Sequence, residues 1–201
     1  MEKELEKQLT EQQIKSLLVR ERYYRDTAQW ENLRDSYHPD VSKTAIKITW
    51  FEGDADGFVA GSQKMAGGGT NATHTICPVV VHVNGDKAVT ESTGSINARF
   101  NLEGHDYDCA SYARFISRLQ KVNGEWKLLT LHAIYDRDTI TPAVPMSSPP
   151  ANFDLTGYRP SYNCIGWLLA RKGFQINQDL PGSDRPELIA QLMDEAWNWL
   201  K

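Results

Sequence analysis

Hydrophobic positions at the start of the chain follow a helical period and then change to strand-like alternation. Over residues 11–26 they recur three or four apart, which predicts a helix carrying Ile14, Leu17, Leu18, Tyr24 and then Ala28 on its apolar side. A short helical stretch, WENLRDSYH, follows. The β-branched segment TAIKITWF (Thr44–Phe51) predicts a strand, and a further helix is expected between two glycine breaks, the second at Gly67–Gly69.

The middle of the chain has the pattern of a sheet with unusually long strands. Four segments, HTICPVVVHV, KAVTESTGSINARFNL, YDCASYARFISRLQKV and EWKLLTLHAIYDRD, are separated by turn signals at Asn84-Gly85-Asp86, Glu103-Gly104-His105 and Asn123-Gly124. Long antiparallel strands joined by tight turns favour one strongly curved sheet, whose concave face the preceding helices must cover. The pattern predicts an α+β fold, a cone-shaped barrel of one curved, mainly antiparallel sheet wrapped around N-terminal helices.

Beyond Asp138 the pattern changes again. A proline-rich stretch predicts an extended wrap, and two helices, SYNCIGWLLARKG and DRPELIAQLMDEAWNWL, close the chain. Asp184 and Glu187 have the spacing of a capping box at the start of the last helix. We therefore expect a cone domain over residues 1–138 and an extension over 139–201, whose apolar tail packs on the cone or on a neighbouring subunit.

Composition and charge exclude several classes of function. The 201 residues carry a net charge of −4 with no basic run, so no nucleic-acid partner is expected. No stretch reaches the length of a membrane span, and the charged N-terminal segment lacks the apolar core of a signal peptide, which makes the cytoplasm the expected location and a membrane partner unexpected. The three cysteines are too few and too irregularly spaced for a disulfide framework or a zinc site, and neither a metal nor a cofactor is predicted.

Three stretches together resemble the SnoaL-like branch of the nuclear transport factor 2-like superfamily, which includes scytalone dehydratase and bacterial bile-acid dehydratases. They are YYRDTAQWENL at the end of the first helix, THTICP at the entry to the first long strand, and KVNGEWKLLTLHAIYDRD in the last hairpin. The resemblance covers about residues 10–138. It implies a deep, mostly apolar cavity in which an aspartate and a histidine meet, here Asp26 and His74, and a homodimer or homotrimer.

The chemistry expected of such a pair is proton transfer without a cofactor. A carboxylate beside a cavity would orient the histidine ring and raise its pKa, and the pair could take a proton α to a carbonyl and return it to a leaving hydroxyl. Asp26, His74 and Tyr24 are the predicted catalytic residues. The alternative interpretations are a carboxylate that caps a turn for Asp26 and a backbone-bound histidine for His74.

Five further residues are predicted to contact the substrate. Tyr23, as the alternative to Tyr24, would donate a hydrogen bond to a substrate oxygen, and Asn97 and Arg99 would position the polar end of the substrate. Trp50 and Tyr112 would line the cavity unless they simply fill the barrel. Arg25 stands where scytalone dehydratase has a tyrosine, and neither Asn97 nor Arg99 is the acidic or imidazole group of the relatives.

The leading hypothesis is a lyase or isomerase for a hydrophobic oxygenated small molecule, such as a polyketide, terpenoid or steroid-like compound. The same fold could instead serve as a small-molecule-binding module or as a non-catalytic subunit that contacts a protein partner.

Overall fold

The computed structural model describes residues 1–68, 72–145 and 152–201. Its helices are α1 (Glu2–Asp26), α2 (Trp30–Asp35), α3 (Ala55–Gly67), α4 (Asn163–Arg171) and α5 (Pro186–Leu200), with a 3-10 turn at Val41–Lys43. Its strands are β1 (Ala45–Ile48), β2 (Phe51–Gly53), β3 (Ala72–Asn84), β4 (Lys87–Leu102), β5 (His105–Val122), β6 (Glu125–Leu128) and β7 (Thr130–Pro142).

The strands form one sheet in the order β2-β1-β7-β5-β4-β3, with β6 paired to β5. Every pairing is antiparallel except that of β1 with β7. The predicted α+β class and the mainly antiparallel sheet are confirmed, but the sheet is not closed into a barrel, since β2 and β3 lie at opposite ends of this order.

The long strands are connected by the tight turns that the sequence predicts. Glu103 and Gly104 have φ of 52° and 81°, and Asn123 and Gly124 have φ of 51° and 89°. Two successive positive φ angles are those of a two-residue hairpin turn whose twist matches the flanking strands. These turns place the start of β5 beside the end of β4 in continuous register from Leu102–His105 to Lys87–Gln120.

Two predicted strands are each broken in two. The segment Thr44–Phe51 reverses at Thr49-Trp50, so that β1 and β2 pair with each other through Ile48 and Phe51. The final strand is interrupted at Leu129, between β6 and β7. The first break has a functional consequence, because it places Trp50 at a turn facing the interior instead of along a strand.

Helix α1 covers the inner face of the sheet with its second half only. Ile14, Leu17 and Leu18 are buried in the main core, whereas Leu5 and Leu9 are exposed. The buried face continues toward the helix end with Glu21 and Arg22, both almost fully buried. A helix that inserts polar side chains where the spacing calls for apolar ones must supply each of them with a partner.

The C-terminal segment packs on its own chain. Strand β7 continues past residue 138 to Pro142, and α4 buries Trp167, Leu168 and Leu169 in the main core. Helix α5 covers a separate cluster on the other side of the sheet, formed by Val89, Ile116, Ile134, Leu192 and Ala196. The predicted capping box does not form, because the Asp184 carboxylate accepts hydrogen bonds from Arg159 and leaves the N-terminus of α5 without a side-chain cap.

Candidate functional site

A cavity lies between the end of α1, the inner face of the sheet and α4. Most of its wall is apolar, formed by Ile48, Trp50, Met65, Ala72, Ile96, Ala98, Phe115, Leu131, Ile165, Leu168 and Leu169. The polar groups are Arg22, Arg25, Thr49, His74 and Tyr135. The side chains leave about 600 Å³ between them, but this volume includes open solvent and gaps too narrow for a water molecule, so that little of it can hold water. This is room for a few waters.

The structure brings Asp26 and His74 into direct contact beside this cavity. The Asp26 carboxylate accepts two hydrogen bonds from one residue, at 2.6 Å from Nδ1 of the His74 ring and at 2.7 Å from the His74 backbone N–H. The ring is 4% exposed and the carboxylate 15%. Because an ionised carboxylate only accepts hydrogen bonds, Nδ1 must carry the proton, and in the neutral ring Nε2 presents its lone pair.

The lone pair of Nε2 has a partner that the sequence interpretation did not assign. The Arg25 guanidinium places Nη1 at 3.0 Å from Nε2, and since a guanidinium only donates, Nε2 must accept. Arg25 also lies against two aromatic rings, 5.5 Å from the Trp50 centroid and 5.2 Å from that of Phe58. His74 is thus held between a carboxylate on one nitrogen and a cation on the other.

This environment lowers the pKa of His74. Burial and the Arg25 charge outweigh the attraction of Asp26 and bring the pKa from 6.5 to about 4. Asp26 does raise the pKa of His74, as expected, but the net shift is downward because desolvation penalises the charged ring more than one carboxylate favours it. His74 is therefore neutral at neutral pH, and chemistry at Nε2 must begin with the acceptance of a proton.

The pKa of His74 predicts how stability depends on pH. Between pH 6.5 and about 4 the unfolded chain binds a proton that folded His74 does not, so stability is lost as the pH falls through this interval. We expect His74→Asn to reduce the slope of unfolding free energy against pH by up to about 1.4 kcal/mol per pH unit. Urea unfolding at several pH values measures the slope.

His105→Asn, at the exposed start of β5, is the control for the loss of a histidine and should keep the wild-type slope. His132 contributes a similar slope in every variant, because burial and Arg118 also lower its pKa to about 4. An unchanged slope in His74→Asn would contradict the assignment of a buried, neutral His74.

A second buried ionic group lies one turn back along α1. Arg22 is ion-paired with Glu21, and the other Glu21 oxygen accepts a hydrogen bond of 2.8 Å from the Tyr37 hydroxyl. The Arg22 guanidinium also lies 5.0 Å from the centroid of the Phe115 ring. Burial lowers the pKa of Arg22 to about 10, so the group remains a cation at neutral pH.

The Tyr135 hydroxyl is the remaining polar group on the sheet side of the cavity. It accepts a hydrogen bond of 3.1 Å from the Thr49 backbone N–H and also contacts the Thr49 hydroxyl. Burial raises the pKa of Tyr135, which keeps the phenol protonated and able to donate.

The two tyrosines predicted on α1 lie outside the cavity. Tyr23 is 58% exposed, and Tyr24 is half-buried in a surface groove with Leu17 and Trp126. The helix directs Arg22 and Arg25 inward, so the intervening residues face away from the interior. Neither hydroxyl is placed to contact a ligand of this cavity.

Three predicted sheet residues face the other side of the sheet. Ile96 and Ala98 line the cavity, so alternation along β4 turns Asn97 and Arg99 away from it. Asn97 bonds Ser95 at 2.9 Å, and Arg99 forms two bonds of 2.8 Å to Asp108 on β5.

Tyr112, likewise on the outer face, is 38% exposed and stacks with Arg137. Trp50, by contrast, is part of the cavity wall.

Arg22, Arg25 and Tyr135 form the part of the site that sequence reasoning missed. For the arginines a signal existed, because the spacing Ile14, Leu17, Leu18 continues to positions 21, 22 and 25. For Tyr135 the sequence offers no such signal beyond an aromatic residue on an inward face, and such residues belong to the core more often than to a functional site.

Two further findings concern metal binding and membrane-spanning helices. Within residues 1–68, 72–145 and 152–201, no three His, Cys, Asp or Glu side chains cluster in a way that could hold a metal ion. Among the helices of the same residues, none combines the length and apolarity needed to cross a membrane.

Solved structures identify the class of fold. A protein of Novosphingobium aromaticivorans with the provisional name scytalone dehydratase superposes with a TM-score of 0.54 at 17% identity, over 74% of this chain and 97% of its own. A Mycobacterium tuberculosis protein of unknown function gives 0.54 at 16% identity, over 87% and 96%. The chain has the nuclear transport factor 2-like fold.

The family follows from the sequence match. Residues 6–132 match the model of the SnoaL-like domain, and the chain belongs to this family. An uncharacterized protein of Emericella nidulans is 30% identical over 81% of this chain and 71% of its own length. Pea pathogenicity protein 2 of Fusarium vanettenii is 29% identical over 81% of this chain and 70% of its own. The resemblance inferred from the three motifs is thereby confirmed.

Proposed function

We propose that this protein is a cofactor-independent lyase or isomerase that acts by acid–base chemistry on a hydrophobic, oxygenated small molecule. A polyketide, terpenoid or steroid-like compound has the required character. The observation that carries the proposal is the His74 ring, held by Asp26 through Nδ1 at 2.6 Å and forming part of the wall of a mostly apolar cavity. A fixed acceptor beside an apolar wall is the arrangement that proton abstraction from a carbon requires.

In the proposed dehydration, Nε2 of His74 removes a proton from the carbon next to a substrate carbonyl. The C–H electrons form an enolate, whose oxygen accepts a hydrogen bond from the Tyr135 hydroxyl. The enolate then reforms the carbonyl as a new C=C bond forms and the C–O bond to the β-hydroxyl breaks. That hydroxyl leaves with the proton from Nε2 as water, and His74 returns to its neutral state. Isomerisation would return the proton to another carbon.

Asp26 acts through His74 in this proposal. It is not part of the cavity wall, and both its oxygens are occupied by His74. It keeps the proton on Nδ1 and the lone pair on Nε2, and it stabilises the imidazolium that forms during the reaction. Asp26 is therefore a positioning residue.

Two structural features set conditions on this chemistry. The Arg25 guanidinium must leave Nε2 before the nitrogen can accept a proton. A polycyclic substrate also needs more room than a few waters, so the walls of the cavity must move apart. One of these walls is helix α4, a separate segment of the chain that supplies Ile165, Leu168 and Leu169. A homodimer or homotrimer and a cytoplasmic location stay predictions.

The same two features favour a second candidate, a binding module that holds an apolar ligand without converting it. Assays with polycyclic β-hydroxy ketones would distinguish a dehydrating enzyme from a binding module. We expect mass spectrometry to detect loss of water from at least one compound that also raises the melting temperature. If several compounds stabilise the protein and none is converted, the binding module is favoured. If no compound stabilises the protein and none is converted, both proposed functions are contradicted.

A further inference from the structure

Arg25 has the least complete set of partners among the charged groups of the cavity. A guanidinium carries five N–H donors, and in the part of the chain that the structure describes, Arg25 makes a hydrogen bond through Nη1 alone, to the neutral ring of His74. No carboxylate of the described residues lies within ion-pair distance of it. Arg22, its neighbour on the helix, is by contrast paired with Glu21.

The nearest carboxylate is already occupied. Both oxygens of Asp26 accept hydrogen bonds from His74, one from the ring and one from the backbone. Arg25 is otherwise flanked by two aromatic rings, with its guanidinium carbon 5.5 Å from the centroid of Trp50 and 5.2 Å from that of Phe58. Burial of this kind lowers the pKa of Arg25 while leaving it a cation.

A cation with unused donors beside an apolar cavity selects an anion. Hydrogen bonds from a guanidinium to a carboxylate are stronger than those to neutral acceptors, and the planar fork of donors matches the two carboxylate oxygens. A neutral imidazole occupies only one donor and offers no compensating charge. A ligand carboxylate would therefore compete effectively with His74 for Arg25.

On the basis of the acid–base function described above, we propose that the ligand is an apolar ring compound bearing a carboxylate, which binds Arg25 and displaces its guanidinium from Nε2 of His74. Ligand binding and the release of the base are then one event. A ligand without the anion would leave Nε2 covered by Arg25, so the same residue would determine both specificity and readiness for proton transfer.

Two probes of nearly equal shape test the specificity. We expect 2-naphthoate to bind the wild-type protein about tenfold or more tightly than 2-naphthamide in calorimetric titrations at neutral pH. Arg25→Met should reduce this ratio to near one while retaining the affinity for the amide, which shows that the cavity is intact. Arg25→Lys retains the charge and should keep a preference, and it serves where the methionine variant does not fold.

Arg99→Met is the matched control, since Arg99 is bound to Asp108 on the outer face of the sheet and should leave the ratio unchanged. In ¹⁵N-labelled protein, the Nε2 signal of His74 should shift when the naphthoate binds and not when the amide binds. A ratio near one in the wild type, a ratio that survives Arg25→Met, or an Nε2 signal insensitive to the naphthoate would overturn the proposal. A retained preference with no turnover of any compound would instead contradict the catalytic function and leave the anion site intact.

Discussion

His74→Asn is expected to lower kcat/KM by about 10²–10⁴-fold for any compound that the protein converts. The asparagine amide can still donate to Asp26 from near the position of Nδ1, which is 2.6 Å from the carboxylate in the wild type. Nothing in the variant replaces Nε2. The substitution therefore removes the proton acceptor while preserving the hydrogen bond that joins α1 to β3.

Ligand affinity separates loss of the base from loss of the cavity. Titration of His74→Asn with a non-reactive ligand should give a dissociation constant within a few-fold of the wild type, since the apolar wall is untouched. His105→Asn, at the exposed start of β5, should retain full activity. Turnover by His74→Asn within threefold of the wild type would exclude His74 as the base and leave the binding module as the better interpretation.

The elements and the Asp26–His74 pair could be predicted because their signals are local or carried by motifs. Long alternating strands, hairpin turns at Glu103-Gly104 and Asn123-Gly124, and apolar helical spacing each act within a few residues. The break at Thr49-Trp50 was missed since TAIKITWF is rich in β-branched and aromatic residues along its whole length. Only the pairing of β1 with both β2 and β7 shows where the segment reverses.

The remaining site residues were harder to predict because which face of a helix or strand a side chain occupies depends on how that element is rotated or registered against its neighbours. Arg22 and Arg25 occupy the buried face of α1, whereas the aromatic character of Tyr23 and Tyr24 suggested the opposite phase. On β4 the resemblance directed attention to the polar Asn97 and Arg99, although the inward positions belong to Ile96 and Ala98. Tyr135 depends on the irregular register between β5 and β7 near Tyr112, which no local pattern indicates.

The polar interior of α1 leads to the largest expected effect on stability, that of Glu21→Gln. Glu21 is 1% exposed and Arg22 4%, and the Glu21 carboxylate bonds both Arg22 and the buried Tyr37 hydroxyl. Glutamine preserves the volume but removes the charge that compensates Arg22. We expect the free energy of unfolding to fall by about 3–5 kcal/mol, measured by urea denaturation.

The physical cause of this loss is the uncompensated Arg22 cation, so removing the cation should restore stability. The double variant Glu21→Gln/Arg22→Met should be more stable than Glu21→Gln alone, because a buried ion pair is costly to break but often neutral to replace as a whole. Asp108→Asn provides the exposed comparison, because the Asp108 side chain is 45% exposed and that of its partner Arg99 is 61% exposed. This ion pair should contribute at most about 1 kcal/mol to the free energy of unfolding. A double variant no more stable than Glu21→Gln would show that packing of Arg22 against Phe115, and not its charge, accounts for the polar interior of α1.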